Sequence, residues 1–308
     1  MFKQSYVYGP VPSRRLGLSL GLSIVPGKTC TLDCIYCQCG RTSHKTLRRE
    51  SFFPINDILV QVHGAIAGKR VDFLTFSGEG EPCLNKDIGK LIRRLKQEFT
   101  IPVAVITNST LLTEPTVRRA LYPADLVVPS LDAADQATFG RVNRNHRDLK
   151  IAEIIQGLGK FRRYYKGRLW LEIMLVKGVN DSVEELVKLR KAVALIRPDR
   201  VHLNTVVRPP AEKKAKPLSH DALEQIQMLF GPGTEIAEST IRKQQREFKG
   251  DAKSAIIELV QRRPVTKKDI ERSLGIKPEE LSRVIGQLIR AKKVRLVEFL
   301  GKSFYEAA

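Results

Sequence analysis

The chain has 308 residues, 42% of them hydrophobic, with 53 basic against 33 acidic side chains and a formal net charge of +20. That length suits one large domain plus a small one, and that hydrophobic share excludes a globally disordered chain. No run approaches the roughly 18 apolar residues of a membrane-spanning helix, and residues 1–20 lack the apolar segment of a secretory signal, so the expectation is a soluble, cytoplasmic protein with no membrane partner.

In chain order, the first buried strand expected is LSLGLSIV, residues 18–25. It leads into CTLDCIYCQCG, residues 30–40, which holds four of the five cysteines. An amphipathic helix is expected over residues 55–68, and a strand, VDFLTFSG, over 71–78. That strand ends in FSGEGEP, residues 76–82. Its glycines let backbone approach a ligand closely, and Glu79 and Glu81 offer acceptors for an ammonium group. A second helix is expected over 86–99, then a strand over 103–108 that ends in TNST. The fourth strand, DLVVPSLD, covers 125–132. Thr107, Asn108, Ser130 and Asp132 thus sit at strand ends, with hydrogen-bonding groups for carboxylate and hydroxyl partners. The fifth strand covers 169–176 and the sixth 201–207. Between them a helix over 182–196 opens with Ser182 and Glu185 in a capping-box arrangement. Such alternation predicts a parallel sheet, open or closed into a barrel, with its site at the carboxyl ends of the strands.

The cysteines are the sharpest signal. In a reducing cytosol, clustered cysteines serve as metal ligands or catalytic groups more often than as disulfides. Cys30, Cys34 and Cys37 form C-x3-C-x2-C. Three thiolates can hold three irons of a cubane and leave the fourth open, whereas zinc wants four ligands and has no partner pair downstream. Small buried cysteines remain the alternative at this point. Cys39 and Cys83 read as spares.

C-x3-C-x2-C with Tyr36 before its last cysteine resembles the radical S-adenosylmethionine superfamily. The resemblance spans residues 7–235 and implies a partial (β/α)6 barrel. It also implies one 4Fe–4S cluster on Cys30, Cys34 and Cys37, whose open iron takes the amino and carboxylate groups of S-adenosylmethionine. One electron then yields a 5′-deoxyadenosyl radical that takes a hydrogen atom from substrate. Tyr36, Ser77, Gly78, Glu79, Glu81, Thr107, Asn108, Ser130 and Asp132 occupy the corresponding cofactor positions. Flavodoxin or ferredoxin is the implied electron donor. Within the superfamily the chain is similar to Fe–S oxidoreductases near wyosine-base synthase and molybdenum-cofactor biosynthesis protein A. It departs from wyosine-base synthase at CQCGRT, which puts tricyclic-base formation in doubt.

From residue 250 the alternation stops. Three amphipathic stretches and a hairpin signal around Leu300-Gly301-Lys302 look like a winged-helix domain. The expected division is a core over 1–236, a linker over 237–250 and a tail over 251–308. The tail holds 13 basic and 8 acidic residues, a net of +5, which leaves +15 of the +20 for residues 1–250. Such an excess favours polyanions. His146 with Arg141, Arg144 and Arg147 forms either an anion site or a solvated loop. The reading preferred is modification of a macromolecule, RNA ahead of protein. A small-metabolite enzyme is the alternative. A non-enzymatic redox sensor that binds DNA is disfavoured by the set of cofactor positions, which a sensor does not need.

Overall fold

The structure is a computed structural model that describes residues 5–13, 15–237 and 251–308. A hairpin comes first, with β1 (Val7–Ser13) antiparallel to β2 (Gly17–Leu22). Two-residue strands β3 (Thr29–Cys30) and β4 (His44–Lys45) then pair across the cysteine loop. The expected alternation follows. It runs through α1 (Ile55–Ile66), β5 (Phe73–Phe76), α2 (Ile88–Glu98), β6 (Val103–Thr107), α3 (Pro115–Leu121) and β7 (Leu126–Pro129). It continues with α4 (Gln136–Asn143), α5 (Ile151–Tyr164), β8 (Arg168–Leu175), α6 (Val183–Ile196), β9 (Arg200–Thr205), α7 (His220–Phe230) and β10 (Thr234–Ile236). The tail supplies α8 (Ala252–Arg262), α9 (Lys267–Leu274), α10 (Pro278–Arg290) and the strands β11 (Val294–Phe299) and β12 (Lys302–Ala307).

The main sheet has the order β1-β2-β5-β6-β7-β8-β9-β10. From β2 onward every neighbouring pair is parallel, with helices in the crossovers. The six expected strands are thus the six staves of a partial barrel. β1 and β10 extend it at the two edges. Neither has the look of a strand in sequence: β1 carries two prolines, which an edge strand tolerates, and β10 has three residues, too few for a period.

The helices cover the outer face. On α2, Ile88, Leu91, Ile92 and Leu95 are all buried, at i, i+3, i+4 and i+7. Each such side chain contributes about 1.5–3 kcal/mol on burial. The outward residues of β8, Leu171, Ile173 and Leu175, are fully buried beneath this layer. The inward residues are different in kind. Ser19, Thr75, Glu172 and Asn204 are buried polar groups on four staves, and all four face the barrel interior. Buried polar groups need partners, so the inner face is built to surround something polar.

The tail packs on the edge hairpin. Ile256, Leu259, Ile270, Leu281, Ile285 and Tyr305 form one hydrophobic cluster that also contains Val11 of β1. The β11–β12 hairpin turns at Leu300 and Gly301, both with positive φ, as a tight two-residue turn requires. Three helices and a hairpin are therefore present as expected. The expected linker lies outside the described residues, save for Ala237. On α6, the Ser182 side chain accepts from Glu185 N at 3.3 Å, while the Glu185 carboxylate meets Lys188 at 3.2 Å. No helix of the described residues is long and apolar enough to cross a membrane.

Candidate functional site

The carboxyl ends of the staves surround a cavity of about 350 Å³, within the range of small-molecule sites. Cys30, Cys34, Tyr36, Cys37, Ser77, Gly78, Glu81, Thr107, Asn108 and Ser130 all line it. Glu79 and Asp132, the other two expected site residues, stand just behind this lining.

The cysteine loop is clamped from several sides. Asp33 N and Ile35 N donate to the carbonyls of Asn143 and Val142 at the end of α4, and Glu212 N donates to Ile35 O. Lys28 reaches across the loop to Gly40 O at 2.6 Å. Each of the three motif cysteines also meets a nitrogen donor from a different element. Asn108 Nδ2 lies 3.4 Å from the Cys30 sulfur, Asn143 Nδ2 lies 3.2 Å from Cys34, and Lys28 Nζ lies 3.6 Å from Cys37. Donors aimed at sulfur suit thiolates that ligate a metal. Burial pushes the Cys30 thiol up to about 12, with Glu81 adding to it, and burial likewise raises Cys34. A hydrogen bond with Cys39 brings Cys37 down to about 6, with Lys28 assisting. Among the described residues no three His, Cys, Asp or Glu side chains converge on a single ion. A cubane needs no such convergence, because each thiolate takes a different iron. The donor set therefore fits a three-cysteine cluster.

The turn after β5 is held in one shape. Gly78 has φ +139°, and a Cβ built on Gly80 would stand 2.1 Å from Thr29 O, which explains glycine at both positions. Glu81 lies beneath the turn and is almost wholly buried. Its carboxylate accepts from Cys83 N at 2.9 Å, Thr107 Oγ1 at 2.7 Å and Asn108 N at 2.7 Å. Burial raises its pKa despite these bonds. Glu81 thus ties the end of β5 to the end of β6. Cys83 is fully buried beside it. On the other flank Glu79 pairs with Arg262 of α8 at 3.0 Å, and Tyr8 and Ser77 share a hydroxyl hydrogen bond of 2.7 Å.

Asp132 does the same for β7 and β8. It accepts from the Tyr36 hydroxyl, from Asn143 Nδ2 at 2.7 Å and from Met174 N at 2.9 Å. Burial raises its pKa to about 6. The carboxylate therefore joins the cysteine loop, α4 and β8 at one point.

The remaining expected groups lie elsewhere in role. Arg141 donates to Thr138 Oγ1 at 2.8 Å, and Arg144 pairs with Glu212 at 2.8 Å. His146 meets Asp148, and Arg147 is exposed. These cations brace loops and do not form one anion pocket. Sequence reasoning passed over a second set on the cavity wall: Arg15, Glu172, Asn204, Arg208, Arg262 and Arg263. Arg15 pairs with Glu172 at 2.6 Å, and Asn204 Nδ2 donates to the same carboxylate at 2.7 Å. A glutamate inside LWLEIML and an asparagine inside VHLNTVV were the legible signals, since a polar group in a buried strand must face a partner. Nothing in the sequence brings Arg262 and Arg263 to the barrel.

Residues 24–190 match the family described as the radical SAM superfamily. The chain is 34% identical over 308 residues to the UPF0026 protein MJ1312 of Methanocaldococcus jannaschii, covering 97% of this chain and 94% of that one. It is 38% identical over 298 residues to a Brachyspira hyodysenteriae protein described as GTPase Obg, but spans only 44% of that protein's length. A weaker likeness, 26% over 159 residues, joins half of this chain to 45% of the ribosomal RNA large subunit methyltransferase Cfr of Lachnoclostridium phytofermentans. Among solved structures, a radical SAM methyltransferase from Sphaerobacter thermophilus superposes with a TM-score of 0.56 at 21% identity, over 71% of this chain and 65% of that one. That likeness shows the partial-barrel fold. Members of this family use a 4Fe–4S cluster and S-adenosylmethionine, the groups that the cysteine loop and cavity fit. With the matched region covering the cysteine loop and the strand-end residues described above, the chain belongs to the radical S-adenosylmethionine superfamily.

Proposed function

We propose that this enzyme modifies an RNA, by reductive cleavage of S-adenosylmethionine and abstraction of a hydrogen atom from the polymer. The observation that carries the RNA reading is the basic surplus of the chain together with exposed lysines at the site end of the barrel. Residues 1–250 hold a surplus of +15, and the loop after β9 carries exposed Lys213, Lys214 and Lys216. The loop follows a stave whose carboxyl end opens on the cavity. Positive charge at a rim attracts a polyanion through counterion release. The likeness of half the chain to a ribosomal RNA methyltransferase supports the same reading.

The roles proposed follow from the contacts. Cys30, Cys34 and Cys37 hold the cluster, and Lys28, Asn108 and Asn143 orient their sulfurs. When bound, the cluster supplies one electron to cleavage of S-adenosylmethionine. The Ser77–Gly78 backbone receives the methionyl ammonium, which the glycines let approach, and Glu79 positions that turn through its ion pair with Arg262. Thr107, Asn108 and Ser130 offer donors and acceptors to the carboxylate and ribose. Glu81 and Asp132 act as positioning residues, because their oxygens are already engaged with the backbone and with Tyr36. Residues 251–308 form a winged-helix-like unit that orients the substrate, and the protein works in the cytoplasm with flavodoxin or ferredoxin as donor.

The test is anaerobic incubation with deuterated RNA, with mass spectrometry of the 5′-deoxyadenosine formed. Deuterium transfer, together with binding that weakens with salt by a log–log slope of about 0.7–0.9 per phosphate neutralised, is the expected result. Absence of RNA binding at low salt would replace this reading with a small-metabolite enzyme.

A further inference from the structure

One part of the cavity wall comes from the tail. At the end of α8 the chain delivers Arg262 and Arg263 to it. The two have different surroundings. Arg262 is fully engaged: it donates to Glu79 at 3.0 Å, Ser23 Oγ at 3.3 Å and Ser5 O at 2.8 Å, and it lies over the Tyr8 ring. Its carbonyl accepts from the Cys39 thiol at 3.3 Å. These contacts fix the backbone that carries Arg263.

Arg263 has the opposite character. Its Nε is buried and has no hydrogen-bond partner among the described residues. A buried guanidinium N–H without an acceptor costs free energy and calls for an explanation, a ligand among them. The protein's own carboxylates near the cavity are taken. Glu79 serves Arg262, Glu172 serves Arg15 and Asn204, and Glu81 serves Thr107 and two backbone amides. Arg15 Nε and Nη1 also lack a hydrogen bond among the described residues, but that guanidinium lies 2.6 Å from the Glu172 carboxylate, which leaves Arg263 as the planar donor without a carboxylate beside it, held by its neighbour at the edge of the cavity that holds the cysteines. Arginine in such a position suits two oxygens of one anion.

We propose that Arg263 is the site's receptor for an anionic oxygen group of the substrate. The inference rests on the RNA reading above for its chemistry, and on that reading the group is a phosphate next to the nucleotide attacked. The tail is then part of the catalytic cavity, and Arg262 is the residue that positions the receptor.

The experiment uses the full chain with its cluster reconstituted and S-adenosylmethionine saturating. Binding of uridine 5′-monophosphate, uridine and a short single-stranded RNA is followed by anaerobic calorimetry, for the wild type, Arg263→Gln and Arg263→Lys. The wild type should prefer the monophosphate to uridine by about tenfold or more, the scale of one charge-assisted bidentate contact. Arg263→Gln should lose that preference, and Arg263→Lys should keep part of it, with iron content and affinity for S-adenosylmethionine unchanged in both. A preference that survives Arg263→Gln, or wild-type protein without any preference, overturns the assignment. So does a variant that weakens S-adenosylmethionine and leaves the monophosphate alone, because the anion would then be the cofactor carboxylate. If the preference depends on Arg263 but the RNA does not bind, Arg263 stands as a receptor for free nucleotides and the RNA reading falls. If RNA binds equally well to wild type and Arg263→Gln, the RNA reading stands and the receptor falls.

Discussion

Gly80→Ala tests the geometry of the cofactor turn. The added methyl would stand 2.1 Å from Thr29 O and 2.7 Å from Val25 Cγ2. An unstrained carbon–oxygen contact is about 3.3 Å, so the turn and β3 must separate by about 1.2 Å. The first obstacle is backbone, which no rotamer change can clear. The β3 side is the stiffer one, because the loop that follows is bonded to α4 and Glu212, and Lys28 ties the loop's far end back at Gly40 O. The turn therefore yields, and its Gly78 backbone moves away from the thiols. A displacement of that size in a positioning element costs about a hundredfold in rate. Affinity for S-adenosylmethionine should fall by about tenfold or more, which is about 1.4 kcal/mol. Iron content should stay at the wild-type level, since no cysteine moves. Calorimetry with the reconstituted protein and an iron assay on the same sample measure both. Wild-type affinity, or a parallel loss of iron, would refute the argument.

Gly64→Ala is the matched control: a Cβ there meets nothing within 4 Å, so a helix-interior glycine replaced by alanine should stabilise by about 0.5–1 kcal/mol in urea denaturation. Alanine at Cys30, Cys34 or Cys37 should abolish the four irons expected per cluster, while alanine at Cys39 or Cys83 should keep them, and full iron in any of the first three variants would sink the ligand assignment. Arg262→Met should destabilise by about 2–3 kcal/mol, less than the 3–5 of a fully buried pair because Arg262 and Glu79 are 17% and 19% exposed. Glu79→Gln in the same background should recover part of that loss, and strict additivity of the two, followed through Trp170 fluorescence, would show that the pair is not coupled.

Much of the barrel was legible because its strands are buried on their outer face and its helices on one stripe. VAVIT and LVVP are short, apolar and rich in β-branched residues, which suits the middle of a sheet. The cysteine loop was legible as a candidate from its spacing, and the family resemblance gave that spacing its meaning. Glu81 and Asp132 were singled out as cofactor ligands, and the structure gives their oxygens to backbone amides, Thr107 and Tyr36. Sequence position cannot distinguish a carboxylate whose oxygens are open to a ligand from one whose oxygens are already bonded within the protein. Arg15 and Arg262 were not legible, because their partners lie 157 and 183 residues away in sequence, at Glu172 and Glu79. Long-range pairs of this kind leave no local pattern.

The tail poses the same question in reverse. In sequence it reads as a separate unit, with its own helices and its own hairpin turn. Yet Val11 of the edge hairpin sits in its hydrophobic cluster, and Tyr8 stacks under Arg262 while its hydroxyl meets Ser77. One short strand, β1, therefore touches the tail core on one side and the cofactor turn on the other. A shift of the tail changes the surroundings of Glu79, Ser23 and Cys39, which Arg262 contacts directly, and through Tyr8 those of Ser77. A unit mounted this way is coupled to the cofactor site through an ion pair and a hydroxyl. The physical consequence is that any load placed on the tail bears on the same turn that Gly80 keeps close to Thr29.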